Sequence, residues 1–221
     1  MSSHAQYNAA KGQRDVYCAL NILNDLAQER VVLGLRDIAI ASGVTPKIIA
    51  PSAQVGDSNN ALAIGYAQWL GHELDWPVEE RVFQSKTVSK DREGAWFRLA
   101  HQSTFYGEID SKASYVIVDD VVTLGGTLAD LRSFIIGKGA KVIAMSAIAS
   151  GTGADKQIRL GDGTRDKLEK HYGSSLASDC SDILGFPHTC LTNDEAGRLL
   201  GCSGYVEFRK NIQRERDKAA P

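Results

Sequence analysis

The stretch from Tyr115 to Leu128 restricts this chain more than any other. Tyr115, Val116, Ile117 and Val118 form an apolar, largely β-branched run without polar alternation, and a strand of that kind needs cover on both faces. Asp119 and Asp120 come at once after it, then Val121-Val122-Thr123-Leu124-Gly125-Gly126-Thr127. From there Leu128, Leu131, Phe134 and Ile135 recur at helical spacing until Gly137 and Gly139, and Lys141 to Ala149 reads as another strand. Strand, glycine turn, helix and strand make a βαβ unit with parallel strands and a right-handed crossover.

The flanking sequence extends the pattern. Lys47 to Ala50 is a short apolar run stopped by Pro51, succeeded by a polar loop, Ser52 to Asn60, and a helical stretch, Ala61 to Glu73. Arg81 to Gln84 offers a further strand. Val16, Leu20, Leu23 and Leu26 mark an amphipathic helix over Asp15 to Glu29, ahead of the sheet. This alternation predicts an α/β fold, doubly wound, with a mainly parallel sheet flanked by helices over about residues 45 to 150. Ser85 to Ala95 is polar, charged and aperiodic, which predicts a mobile loop.

Beyond Ser150 the composition changes. Gly151 to Gly163 is rich in small, turn-forming residues, and the remainder of the chain reads as helices forming a C-terminal cap or hood. Thr192 with Glu195 has the pattern of a capping box opening a helix through Leu200. Tyr205, Phe208 and Ile212 predict a last amphipathic helix, with a frayed tail from Arg214 to Pro221. We therefore expect an α/β core with an N-terminal helix over residues 1–150, and a mostly helical extension over 151–221 within the same domain.

Composition narrows the function classes. With 221 residues, 43% apolar and 24% charged, the chain can bury one sizeable core and does not have a disordered composition. A formal net charge of -2 and no block of Lys or Arg give no indication of a nucleic-acid footprint over the whole surface, although a local basic patch stays open. Cys18, Cys180, Cys190 and Cys202 are too few for a disulfide scaffold and lack zinc-ligand spacing; reduced, mostly buried thiols are expected. Residues 1–14 have no apolar signal core, and no segment approaches the roughly 20 apolar residues of a membrane helix. A cytoplasmic protein without membrane contact is the expectation.

The chemistry is concentrated at the end of the apolar strand. Ligands of open α/β sheets bind at the carboxyl edge of the strands. A turn from Thr123 to Thr127 can aim successive backbone N–H groups at one point, and the next helix adds its unpaired donors and positive end. Gly125 and Gly126 allow positive φ angles and a close approach, while Thr123 and Thr127 add hydroxyls. Such a nest suits a phosphate monoester. Carboxylates beside it would repel that anion unless they face hydroxyl groups or a divalent cation, and a sugar phosphate meets both demands. Adjacent strand residues point to opposite faces, so Asp119 and Asp120 both serve the ligand only if the strand ends and turns outward there; otherwise one orients the loop. The same residues could form an ordinary capped strand-to-helix turn. An ATPase reading needs a Gly-x-x-x-x-Gly-Lys-Ser/Thr loop, which the chain lacks.

Apolar strand, Asp-Asp, two apolar residues, Thr, one residue and Gly-Gly-Thr resembles the signature of type I phosphoribosyltransferases, which bind 5-phosphoribosyl 1-diphosphate (PRPP). The resemblance spans about residues 47–150 and is sharp over 115–128. It implies that Asp119 and Asp120 contact the ribose hydroxyls and that Thr123, Leu124, Gly125, Gly126 and Thr127 hold the 5-phosphate. Leu124 replaces the commoner Thr, removing a hydroxyl but leaving the backbone nest. By the same resemblance the loop carrying Ser52, Ala53, Ser58 and Asn60 binds pyrophosphate, with Mg²⁺ held mainly through PRPP because that loop has no Lys or Arg. A closing loop over Ser85 to Phe105 would bring Lys86, Lys90, Arg92 or Arg98 onto the leaving group. Trp96, Phe97 and Tyr106 read as packing residues, and His101 and His188 as surface or core residues that could lie near a site. A homodimer is implied as well.

The implied activity is transfer of ribose 5-phosphate from PRPP to an acceptor with release of pyrophosphate. The alternatives are a non-catalytic PRPP sensor or effector, and a PRPP hydrolase. Residues 151–221 match none of the purine, orotate or uracil enzymes, so the acceptor is not named; their Thr-x-x-Glu-Ala pattern resembles that of a bacterial subgroup of the family.

Overall fold

The structure, a computed structural model, describes residues 3–13, 15–26, 29–52, 61–85, 94–150 and 158–218. In chain order the elements are α1 (Tyr7–Gly12), α2 (Val16–Leu26), α3 (Glu29–Ser42), β1 (Lys47–Ile49), α4 (Ala61–Leu74), β2 (Val82–Gln84), α5 (Ala95–Ala100), β3 (Phe105–Gly107), β4 (Ser114–Val122), α6 (Gly126–Gly137), β5 (Lys141–Ser150), α7 (Asp162–Tyr172), α8 (Leu176–Leu184), α9 (Asn193–Leu200) and α10 (Tyr205–Lys218). It is a mixed α/β protein with a mainly parallel sheet flanked by helices. Among the described residues no helix is long and apolar enough to cross a membrane.

The chain divides into two compact units. The first comprises Met1–Lys86, Thr104–Thr123 and Leu131–Ala154; the second comprises Thr87–Ser103, Leu124–Asp130 and Asp155–Pro221.

In the first unit β4 is the middle of a parallel sheet ordered β1-β4-β5. Ile48 pairs with Val116 and Ile49 with Ile117, and on the other side Ile117 pairs with Met145 and Val118 with Ser146. Tyr115, Val116, Ile117 and Val118 have no exposed surface, which is why this run carries no polar alternation. Ile48, Val116 and Val118 pack with Leu23, Ala63 and Tyr66, so the N-terminal helices and α4 cover one face of the sheet. Tyr66 ties α4 to β5 through a 2.8 Å hydrogen bond between its hydroxyl and that of Ser146. Val78 bridges Ile48 in parallel and extends the sheet by one position. Beside it Glu79, 7% exposed, accepts Arg81 Nε at 2.8 Å and a terminal Arg81 nitrogen at 2.9 Å, and Lys47 Nζ lies 3.8 Å away. The Arg81 guanidinium holds that carboxyl below the usual range.

Within the stretch expected as a helix over Asp15 to Glu29, α2 is described over Val16–Leu26, and α3 from Glu29 onward was not expected. The expected strand at residues 81–84 is β2, which pairs antiparallel with β3 in a separate two-stranded sheet, with Phe83 against Tyr106 at 5.9 Å. One expectation needs correction. β4 does not stop at Val118 but continues to Val122.

The second unit is helical. Leu99 of α5, Leu168 of α7, Cys180 of α8, Leu199 of α9 and Phe208 of α10 share one apolar core. Part of the stretch expected as a closing loop, Ser85 to Phe105, is therefore the helix α5: Phe97 and Leu99 are buried, and Trp96 lies 6.4 Å from Phe208. Apolar side chains packed on several helices offset the cost of ordering this short segment. The tail is ordered further than expected too, since α10 runs to Lys218 and its Glu215, 5% exposed, is held by Lys218 at 2.7 Å and Arg214 at 3.1 Å.

Candidate functional site

β4 delivers its aspartates from the most buried part of the sheet. Its pairing with β5 continues through Val121 with Ala149 and Val122 with Ser150, so Asp119 and Asp120 both lie within the strand. Regular alternation then puts Asp120 on the face of Val116 and Val118, and Asp119 on the face of Ile117. The outward turn that would bring both to one side does not occur at this point. The side chains are 9% and 4% exposed. Asp119 Oδ1 accepts the backbone N–H of Asp120 at 2.9 Å, and Asp120 Oδ1 accepts that of Val121 at 2.8 Å, so each carboxylate leans forward along the chain. Such charge-assisted bonds hold the end of the strand.

The turn after β4 is built as the glycines suggested. Gly125 takes φ +81°, a conformation that a residue with a β-carbon rarely adopts, and its carbonyl accepts Ala129 N–H at 2.9 Å to start α6. Leu128, Leu131 and Ile135 anchor that helix as buried residues. Leu124 is buried, and the half-buried Thr123, Gly126 and Thr127 border the first turn. The positive end of a twelve-residue helix thus lies at this turn.

The groups that lie against the glycines were not legible in the sequence. A β-carbon at Gly125 would stand 2.8 Å from Ile158 Cγ2, and one at Gly126 would stand 2.7 Å from Glu195 Oε1. Glu195, 3% exposed, belongs to α9, and its capping box is formed: Thr192 Oγ1 accepts Glu195 N–H at 3.2 Å, and Glu195 Oε2 accepts Thr192 N–H at 2.8 Å. Ile158 is tied to the same helix start, its carbonyl accepting Asn193 N–H at 3.0 Å. Asp130 on α6 accepts Ser103 N–H at 2.8 Å. The close approach that the two glycines permit is therefore made, in part, by the chain itself.

Of the remaining candidates, Ser52 is half-buried and its carbonyl accepts Gln84 N–H; Ala53, Ser58 and Asn60 lie outside the described residues. Arg98 is carried on α5, while Lys86, Lys90 and Arg92 lie outside the described residues. His101 stacks on Phe97 at 4.1 Å and bonds the Phe97 carbonyl, and His188 is buried beside Glu169 at 3.3 Å. Among the described residues no group of three or more His, Cys, Asp or Glu is placed to hold a metal ion. Asp119 and Asp120 are hard oxygen donors suited to Mg²⁺, but a protein cage for it would need further ligands.

No family model matches the chain. Over 219 residues it is 30% identical to "Protein TraN" of Escherichia coli, an alignment that covers 99% of this chain and 48% of that protein. Over 137 residues it is 31% identical to an "Uncharacterized protein" of Haemophilus influenzae, covering 61% of this chain and 30% of the other. The crystal structure of adenine phosphoribosyltransferase from Leishmania donovani superposes with a TM-score of 0.36 at 18% identity, over 58% of this chain and 56% of that one. A superposition that loose assigns no chemistry. The chain spans about half the length, or less, of the curated relatives it matches.

Proposed function

We propose that the chain binds PRPP together with Mg²⁺ and transfers ribose 5-phosphate to an acceptor, releasing pyrophosphate. The observation that carries this reading is the end of β4: two buried adjacent carboxylates, then a positive-φ glycine turn opening a long helix. Amides suit a phosphate and carboxylates suit sugar hydroxyls. The resemblance of residues 115–128 to the phosphoribosyltransferase signature supplies the ligand that has both groups.

In this reading Asp119 and Asp120 bind the ribose hydroxyls, and Thr123, Leu124, Gly125, Gly126 and Thr127 hold the 5-phosphate through backbone amides and two threonine hydroxyls. As the bond between the ring carbon and pyrophosphate breaks, the leaving group takes the electron pair, the ring carbon and ring oxygen share a positive charge, and the acceptor's lone pair forms the new bond. The protein's part is positioning and charge stabilisation. Ser52, Ala53, Ser58 and Asn60 would bind the pyrophosphate, and Lys86, Lys90, Arg92 or Arg98 would neutralise it as water is excluded. Magnesium, held mainly through PRPP, would supply further neutralisation. A homodimer is part of the same proposal.

The position of Glu195 against Gly126 favours a second reading, a PRPP sensor in which the site regulates rather than turns over. Calorimetry with PRPP and Mg²⁺, then a pyrophosphate-release screen over a panel of bases, nucleosides and water, separates the two. Binding with release identifies an enzyme, and binding without release under every acceptor identifies a sensor. Asp119→Asn/Asp120→Asn is expected to lose PRPP binding while keeping its circular dichroism spectrum. The single variants then show whether the two carboxylates, on opposite faces of β4, contribute equally. Unchanged PRPP affinity in the double variant defeats both readings.

A further inference from the structure

We infer that Glu195 is a built-in occupant of the phosphate turn, so that an incoming phosphate has to displace its carboxylate. The inference rests on the reading of residues 123–127 as the phosphate site. Three features of the second unit carry it. Glu195 is almost completely buried at 3% exposure, although it is a carboxylate on the first turn of a short helix, where exposure is the ordinary outcome. A capping box uses one oxygen of its glutamate, and here Oε2 meets that need by accepting Thr192 N–H at 2.8 Å. The second oxygen, Oε1, lies beside Gly126, the first residue of α6, 2.7 Å from the point where a β-carbon would stand. The carboxylate thus belongs to the first turn of α9 and lies against the first residue of α6, and a helix start favours an anion.

A phosphate monoester and a carboxylate compete for the same donors and repel each other at contact distance. Phosphate entry therefore requires the Glu195 side chain to swing away, which opens the capping box and leaves Thr192 N–H to find another partner. The backbone of the α9 start is tied to residues 158–161 through Asn193 N–H to the Ile158 carbonyl at 3.0 Å and through Gly161 N–H to Asn193 Oδ1 at 3.3 Å. Because Ile158 also covers Gly125, occupancy of the turn is coupled to the segment before α7 and to the start of α9. In the resting state the turn is held by the protein's own acid.

The test compares ribose 5-phosphate and PRPP binding by calorimetry in the full chain and in Glu195→Gln. Glutamine keeps an acceptor for Thr192 N–H and is an accepted partner in the capping box, while its amide removes the competing charge. We expect Glu195→Gln to bind both ligands at least tenfold more tightly than the natural chain, with an unchanged circular dichroism spectrum. Equal affinities for the natural chain and Glu195→Gln overturn the gate while leaving PRPP binding standing. Failure of both proteins to bind either ligand overturns the underlying site reading instead. Should Glu195→Gln not fold, Glu195→Asp, which withdraws the charge by one methylene, serves the same purpose and is expected to bind more tightly than the natural chain; an affinity equal to or below it overturns the gate.

Discussion

Replacing Gly125 with alanine tests the construction of the turn. Two costs arise. At φ +81° a residue with a β-carbon pays about 1–2 kcal/mol for the left-handed conformation. The new methyl also meets Ile158 Cγ2 at 2.8 Å and Cγ1 at 3.4 Å, an overpacking that costs roughly 1–3 kcal/mol. The smaller conformational freedom of alanine in the unfolded chain returns about 0.4–1 kcal/mol. The net expectation is a loss of about 1–4.5 kcal/mol, read from the urea midpoint by far-ultraviolet circular dichroism. Gly126→Ala is the comparison without φ strain, because its φ is ordinary while its methyl would meet the buried Glu195 Oε1 at 2.7 Å and push it from the capping box; a smaller loss of about 0.5–2 kcal/mol is expected there. Ile158→Ala in the Gly125→Ala background separates the two costs, since it relieves the collision and leaves the φ strain. A coupling of roughly 1–3 kcal/mol is expected from that cycle. If Gly125→Ala unfolds within about 0.5 kcal/mol of the natural chain, the turn is not built as described.

Other outcomes derive from the charge and thiol environments. Glu79 has its carboxyl held low by Arg81, so its contribution to stability is fully present above the ordinary glutamate range and is lost as pH falls through the lowered value; denaturation curves from about pH 7 to about pH 3 should show this acid loss, and Glu79→Gln should flatten it. Burial pushes the Cys180 thiol up to about 12 and raises that of Cys202, whereas Cys190 is exposed; a disulfide reagent at neutral pH should label Cys190 in the native protein well before Cys180 or Cys202, and equal rates would refute the packing of the helical unit. Calorimetry on Asp119→Asn/Asp120→Asn should register no PRPP heat at concentrations that saturate the natural chain.

The elements that carry the site were readable because their burial is local in sequence. β4 is apolar on both faces, and α6 shows its stripe at Leu128, Leu131 and Ile135, so pattern alone located both. The capping box of α9 was readable for the same reason, its two partners lying three residues apart. α3 was missed because its buried residues, Val32, Leu35 and Ala39, are interleaved with exposed Leu33, Ile38 and Ile40, which blurs the periodicity. α5 was missed because six residues are too few to show a helical period, and the contacts that stabilise it come from the distant core around Phe208.

By itself the sequence determined the parallel α/β core, the glycine turn and the presence of two acids before it, since short-range sterics and strand periodicity dictate each. Tertiary structure alone decided that β4 runs past those acids to Val122, and that Ile158 and Glu195 close on Gly125 and Gly126. Those contacts join residues 33 and 69 positions apart along the chain. No local pattern encodes such a pairing, because it depends on how the apolar faces of α5 and α7 to α10 fill one core and on the residues that this packing brings against the turn.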